Sequence, residues 1–264
     1  MIYQFAQKSF GIAVFILLLS GCDSGSTTNP PATFQAEERF IGNLSYPASV
    51  GKLVVGNPHG FTNVSGLGTM ARIDYVIDRR VQASSFDLAT QELDSIFLTH
   101  TLAPDSLVCL VSTPFRTDID YEGNLAMEIF GETDLVVREP NQGLRASWIT
   151  GTLTSNCGDF STEIDQHQGS VRATSRKGPI TATLSLGIGG FCYCFSDSGD
   201  ITVRIPMGTS ADISLKTESG SLSLSNLSLV PEVETTREIR GRIGSGGATI
   251  TLESRGGKVT LEGF

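Results

Sequence analysis

The chain of 264 residues is 39% hydrophobic and 18% charged and contains 29 glycines, so it is less apolar, less charged and richer in glycine than an average soluble domain. Its apolar content excludes a wholly disordered chain, and the confinement of its one long apolar run to the N-terminus argues against a multi-pass membrane protein. With 19 basic and 28 acidic residues and no basic cluster along the sequence, it lacks the electrostatic footprint of a nucleic-acid binder.

Residues 1–21 read as a signal peptide. Lys8 supplies a positive charge, and Phe10 to Leu19 form an apolar segment too short for the roughly twenty residues that span a bilayer. The segment ends in Leu19-Ser20-Gly21-Cys22, which resembles the bacterial lipobox, where the cysteine is acylated and becomes the mature N-terminus. Removal of residues 1–21 takes away only Lys8 and leaves 18 basic against 28 acidic residues, a formal −10. Acyl chains, not charge, would then hold the protein to an anionic membrane. Residues 22–33, the acylated cysteine and the small, polar, proline-containing stretch behind it, read as a flexible tether. Its eleven residues from Asp23 to Thr33 reach at most about 36–40 Å. Asp23 resembles the inner-membrane retention signal of some enteric bacteria. The expected location is the bacterial cell envelope, with outer membrane, periplasmic face of the inner membrane and cell surface all open.

Residues 34–264 are expected to form one all-β domain. Its first half is irregular: Ala71 to Ile77 and Asp94 to Thr99 look like strands, and Phe86, Ala89 and Leu93 repeat at helical spacing behind a serine, predicting one short helix. From residue 169 to 264 the repeats are clearest. Short segments opened by glycine, such as Gly178 to Leu184, Gly199 to Ile205, Gly220 to Leu224 and Gly257 to Leu261, place apolar residues two apart on one face. Val171 to Ile180 is 9 residues, Ile180 to Ile201 is 21 and Ile201 to Leu222 is 21, a period near 20 that suits a coil in which each rung stacks on the one before. Glycine at each opening fits a corner that needs positive φ or close backbone approach. The expected fold is a right-handed single-stranded β-helix, with an antiparallel β-sandwich as the alternative; the scarcity of Asn-Gly and Asp-Gly hairpin signals favours the helix.

Gly199-Asp-Ile-Thr-Val-Arg-Ile-Pro206, Ala211 to Leu215, Gly220-Ser-Leu and the ending Arg240 to Leu252 through Gly257 to Leu261 resemble the bacterial putative-adhesin family of β-strand-repeat proteins, also catalogued as a domain of unknown function. The resemblance covers roughly residues 50–264 and implies a β-helix at the envelope with no established activity. It carries no catalytic residue across, and the stretch Gly189 to Phe195 with its two cysteines departs from the family pattern.

Four cysteines follow Cys22. In an oxidising compartment an even number suggests bridges. Cys192 and Cys194 share one strand face, where neither can bond the other without distorting the backbone, so one of them bridging Cys157 is the favoured pairing, with Cys109 as a packed core thiol. No metal site is expected, because the paired ligand sets of a strong zinc signature are missing. Asp118, Asp120 and Glu122 alternate with Ile119 and Tyr121, which puts three carboxylates on one strand face; a solvated amphipathic strand is the favoured reading, and a glycosidase-like or calcium-binding strip the other. His59, His100 and His167 are scattered and suit surface or turn positions better than ligand roles. Trp148, Phe191, Tyr193 and Phe195 are either platforms for sugar rings or, preferably, core. The function expected is a non-enzymatic, lipid-anchored envelope protein with an adhesin-like surface for a protein or polysaccharide, needing no cofactor and binding no nucleic acid; the alternative is a carbohydrate-active β-helix enzyme using Asp118, Asp120 and Glu122.

Overall fold

A computed structural model describes residues 33–47, 50–69 and 71–264. The signal peptide, Cys22 and nearly all of the tether lie outside the described residues. The chain enters through β1 (Phe34–Ser45) and forms a first rung from β2 (Lys52–Gly56) and β3 (Thr62–Ser65). β4 (Arg72–Ala83), α1 (Phe86–Glu92), a 3-10 turn (Leu93–Ser95) and β5 (Phe97–Leu102) lead to a second rung, β6 (Ser106–Ser112) and β7 (Asp120–Glu128). The regular rungs are β8 (Asp134–Arg138) with β9 (Leu144–Ser147), β10 (Leu153–Asn156) with β11 (Thr162–His167), β12 (Val171–Ser175) with β13 (Ile180–Leu184), β14 (Phe191–Ser196) with β15 (Ile201–Ile205), and β16 (Ala211–Thr217) with β17 (Leu222–Ser225). A hairpin of β18 (Leu229–Glu234) and β19 (Glu238–Ile243) precedes the last rung, β20 (Ala248–Ser254) with β21 (Val259–Gly263).

Each rung gives one strand to each of two facing sheets, and the rung-to-rung pairs are parallel. The fold is therefore an all-β solenoid, as the periodicity predicts, and not an antiparallel sandwich. Strand alternation sends every second side chain inward, and the parallel register stacks these into columns. In the ten-stranded sheet, Val64, Ala146, Ile164, Ala182, Val203 and Leu261 form one such column. The facing sheet contributes Leu53, Leu135, Leu153, Val171, Cys192 and Ile250.

Rung order in space departs from chain order at both ends. β6 and β7 lie outside β2 and β3, so the second rung is terminal and the first is interior. At the other end β20 and β21 insert between β14/β15 and β16/β17. Ile201 accordingly pairs with Val259, and Leu222 lies one strand further on, which corrects the expectation that each rung stacks on its predecessor.

The corners explain the glycines. Ser254 Oγ accepts from the backbone N–H of Gly257 at 2.8 Å and donates to the carbonyl of Gly199 on the adjacent rung at 3.0 Å. Thr217 Oγ1 does the same with Gly220 N–H at 2.9 Å and Gly257 carbonyl at 3.3 Å. Ser196 Oγ accepts from Gly199 N–H at 2.8 Å, and Ser175 Oγ donates to the carbonyls of Gly178 and Gly158. A Cβ on Gly178, Gly199, Gly257 or Gly220 would collide with a backbone carbonyl of the neighbouring turn. None of these four has positive φ, so close approach, not backbone conformation, demands glycine there.

Antiparallel strands flank the first rungs in both sheets and the far end of the eleven-stranded sheet. β1 and β4 extend the ten-stranded sheet, β5 flanks β6, and α1, capped by Ser85 Oγ accepting from Leu88 N–H at 3.2 Å, packs on β1 and β4. Asp94 belongs to the 3-10 turn and not to a strand, which trims the expected second strand to β5. At the far end β18 is an edge strand carrying Pro231 at an irregular register, a device that discourages pairing with another chain.

If the inward columns carry the stability, Ile201→Asp, which puts a charge at a position with no solvent exposure, should cost several kcal/mol. Thr202→Asp, on the outer face of the same strand, should change stability by no more than about 0.5 kcal/mol. Urea unfolding of the two variants measures this, and equal losses would refute the assigned facing.

Candidate functional site

The acidic strip is built differently from its sequence pattern. Asp118 precedes β7, while Asp120 and Glu122 lie on that strand's outer face, opposite Gln82 and Arg80 of β4. Arg116 Nη2 bonds Asp118 at 2.7 Å, and its Nη1 bonds Glu92 at 2.9 Å. Tyr121 donates its hydroxyl to the other oxygen of Glu92 at 2.9 Å. Arg80 Nη1 bonds Glu122 at 3.1 Å, and Asn124 Nδ2 donates to Glu122 at 2.8 Å. The arginines beside these acids come from β4 and from the loop before β7. The bond from Arg116 holds the Asp118 carboxyl below the usual carboxylate range, whereas a general acid needs its pKa raised. Asp118 and Asp120 line an open hollow of about 420 Å³ with Gln82, Ser84 and Thr117.

The segment Phe191-Cys-Tyr-Cys-Phe195 shows which way its alternation falls. Cys192 and Cys194 point inward and are buried, while Phe191, Tyr193 and Phe195 form a half-buried stripe on the outer face of β14. The expected core placement of these rings is thus reversed: the cysteines, being smaller, take the column positions beside Val171 and Ala173. The guanidinium of Arg172 lies 4.8 Å from the centroid of the Tyr193 ring, and that of Arg255 lies 5.4 Å from the Phe195 ring. Trp148 sits apart, half-exposed at a corner with φ of 60°.

All four described cysteines are free and buried. Cys157 follows β10, and β12 separates it from β14. Two strand spacings amount to about 9.6 Å, beyond the roughly 7 Å that a disulfide spans between Cα atoms. The expected bridge from Cys157 to Cys192 or Cys194 is therefore not formed. Cys192 and Cys194 place their sulfurs 3.7 Å apart. Cys109, as expected, is a core thiol, in register with Val55. Burial pushes the Cys109 thiol up to about 12 and the Cys157 thiol up to about 11, and the bond with Cys194 followed by burial raises that of Cys192.

One of the three histidines departs from the surface or turn placement expected. His167 is buried at the end of β11, its Nε2 3.2 Å from the Ser170 carbonyl, whereas His59 sits in the turn after β2 with Nε2 2.9 Å from Thr113 Oγ1. Among the described residues no group of three or more His, Cys, Asp or Glu side chains is arranged to hold a metal ion. No described helix is long and apolar enough to cross a membrane.

Residues 152–262 match the family Toastrack DUF4097. This stretch is similar to that family. It runs from the start of β10 into β21, so the family's share of the chain is narrower than the roughly 50–264 its repeats suggest. No curated protein matches the chain. A putative cell adhesion protein from Clostridium sporogenes shares 12% identity at a TM-score of 0.48, covering 86% of this chain and 100% of that one. A putative adhesin from Bacteroides fragilis shares 12% identity at a TM-score of 0.33 over 86% and 97% of the two chains.

At pH 8 a thiol with a pKa near 11 is about one part in a thousand thiolate, the reactive form. With all four cysteines buried as well, iodoacetamide should leave Cys109, Cys157, Cys192 and Cys194 unmodified in the folded protein at pH 8 and alkylate all four in non-reducing urea. A peptide map showing Cys157 blocked in urea would restore the bridge.

Proposed function

We propose that the protein is a non-enzymatic, lipid-anchored component of the bacterial cell envelope whose outer sheet faces form an adhesin-like interaction surface. The observation that carries this reading is the outer face of the solenoid. On the ten-stranded sheet Thr181, Thr202, Thr260 and Ser223 line up rung by rung, and the opposite sheet carries the aromatic stripe. Such ranks offer many equivalent contacts along one axis, which suits a solenoid binding an extended partner.

The enzymatic alternative is less well supported. Asp118, Asp120 and Glu122 would need one carboxyl held protonated near neutral pH, but Arg116 and Arg80 hold two of the three as ion pairs. Anchoring rests on Cys22 and the lipobox-like residues before it, and the tether joins the folded domain at Thr33, next to the hollow below β7.

The anchor is tested by Cys22→Ser. The variant should lose palmitate incorporation and leave the membrane fraction, with an unfolding midpoint equal to that of wild type. Labelled palmitate on the Cys22→Ser protein would refute lipidation at this cysteine.

A further inference from the structure

Of the fourteen arginines of the described residues, eleven lie within 4.0 Å of a carboxylate. Arg237 donates to the Gly220 carbonyl. The two that remain, Arg138 and Arg172, are both exposed and both on the outer face of the eleven-stranded sheet. Their strands flank β10, with Arg138 opposite Asn156 and Arg172 opposite Thr154. Strand spacing and rise place their Cα atoms about 12 Å apart. The Arg172 guanidinium leans toward β14, over Tyr193, so the two guanidinium groups bracket the outer faces of β10 and β12.

The floor between them consists of Thr154, Asn156 and Thr174, all outward-facing hydroxyl or amide side chains. Tyr193, under the Arg172 guanidinium, and Phe195 form the wall. Carboxylates stay at the margins: Glu253 beside Phe195, Asp134 at the far end of β8, and Glu139 past its last residue. In a chain with 28 acidic against 19 basic residues, two unneutralised guanidinium groups on one face are complementary to an anion. A guanidinium grips a carboxylate or sulfate through paired N–H donors, hydroxyls and an amide suit the many hydroxyls of a sugar, and aromatic rings suit its C–H faces.

We propose that this patch binds an acidic polysaccharide, with Arg138 and Arg172 gripping its anionic groups, Thr154, Asn156 and Thr174 contacting the sugar rings between, and Tyr193 holding the Arg172 guanidinium in place. The assignment rests on the interaction-surface reading and adds the ligand class to it.

The test titrates the full chain in detergent with polygalacturonate, and with neutral dextran and polyglutamate in parallel. Polygalacturonate should bind and dextran should not. The double variant R138Q/R172Q should bind at least about tenfold more weakly with an unchanged unfolding midpoint, as expected for loss of two charge-assisted contacts, while Arg145→Gln on the opposite sheet should bind as wild type. Equal binding of polygalacturonate and dextran, undiminished binding by R138Q/R172Q, or polyglutamate binding as tightly as polygalacturonate would each overturn the proposal. Chemical cross-linking of the same full chain in envelope preparations separates the two readings: if specific partners form while polygalacturonate fails to bind, only the polysaccharide assignment falls, and if none forms, the interaction-surface reading falls with it.

Discussion

At successive corners of the solenoid an inward hydroxyl does two things with one oxygen: it accepts from the N–H of the glycine three residues ahead and donates to a glycine carbonyl of the next turn. The first bond tightens the corner, and the second fixes the height at which the neighbouring rung sits. Because Ser175, Ser196, Ser254 and Thr217 occupy equivalent register positions, the corner bonds and the strand ladders specify the same stacking. Loss of the Ser196, Ser254 or Thr217 hydroxyl leaves a glycine N–H without its acceptor, a penalty of about 1–3 kcal/mol. The glycines are the steric counterpart, since their missing side chains are the space in which the neighbouring carbonyls lie.

With the stacking fixed in this way, the outer faces are left to ions and rings. Where the solenoid ends and antiparallel strands take over, charges are dense and paired: Arg39 with Asp78, Arg80 with Glu37 and Glu122, and the buried Arg79 with Glu38 and Asp94 while lying 4.4 Å from the Phe40 ring centroid. These pairs tie β1 and β7 to β4 across the cap. Exposed pairs of this kind contribute little stability one by one, but opposite charges in cross-strand positions favour this register over its alternatives. The middle of the eleven-stranded sheet lacks this density, and there the unpaired arginines stand.

Much of the fold was legible because alternation and glycine spacing are local. Ile201, Val203 and Ile205 announce their facing by apolarity alone, and Phe86, Ala89 and Leu93 announce the helix. Rung order was not legible, since the repeat from Ile201 to Leu222 has the same length whether or not another rung lies between. The Ser/Thr-x-x-Gly corners were visible in the sequence as a spacing of three before Gly178, Gly199, Gly220 and Gly257, but only the glycines stood out. In Phe191 to Phe195 both alternating sets are apolar, so pattern could not say which faced inward; the structure puts the smaller cysteines in the columns with Val171 and Ala173. Arg138 and Arg172 lie 34 positions apart, and only parallel stacking makes them neighbours.

The insertion of the last rung between two earlier ones has a consequence for how such a protein can change over generations. A solenoid whose rungs stack in chain order lengthens by duplicating a terminal repeat. Here a repeat appended after Phe264 would start beside β21, in the interior of the stack, with β15 on one side of that strand and β17 on the other. Both lateral positions are already filled. The insertion therefore ties the stacking of β16 and β17 on the rest of the solenoid to the seventeen residues from Ala248 to Phe264.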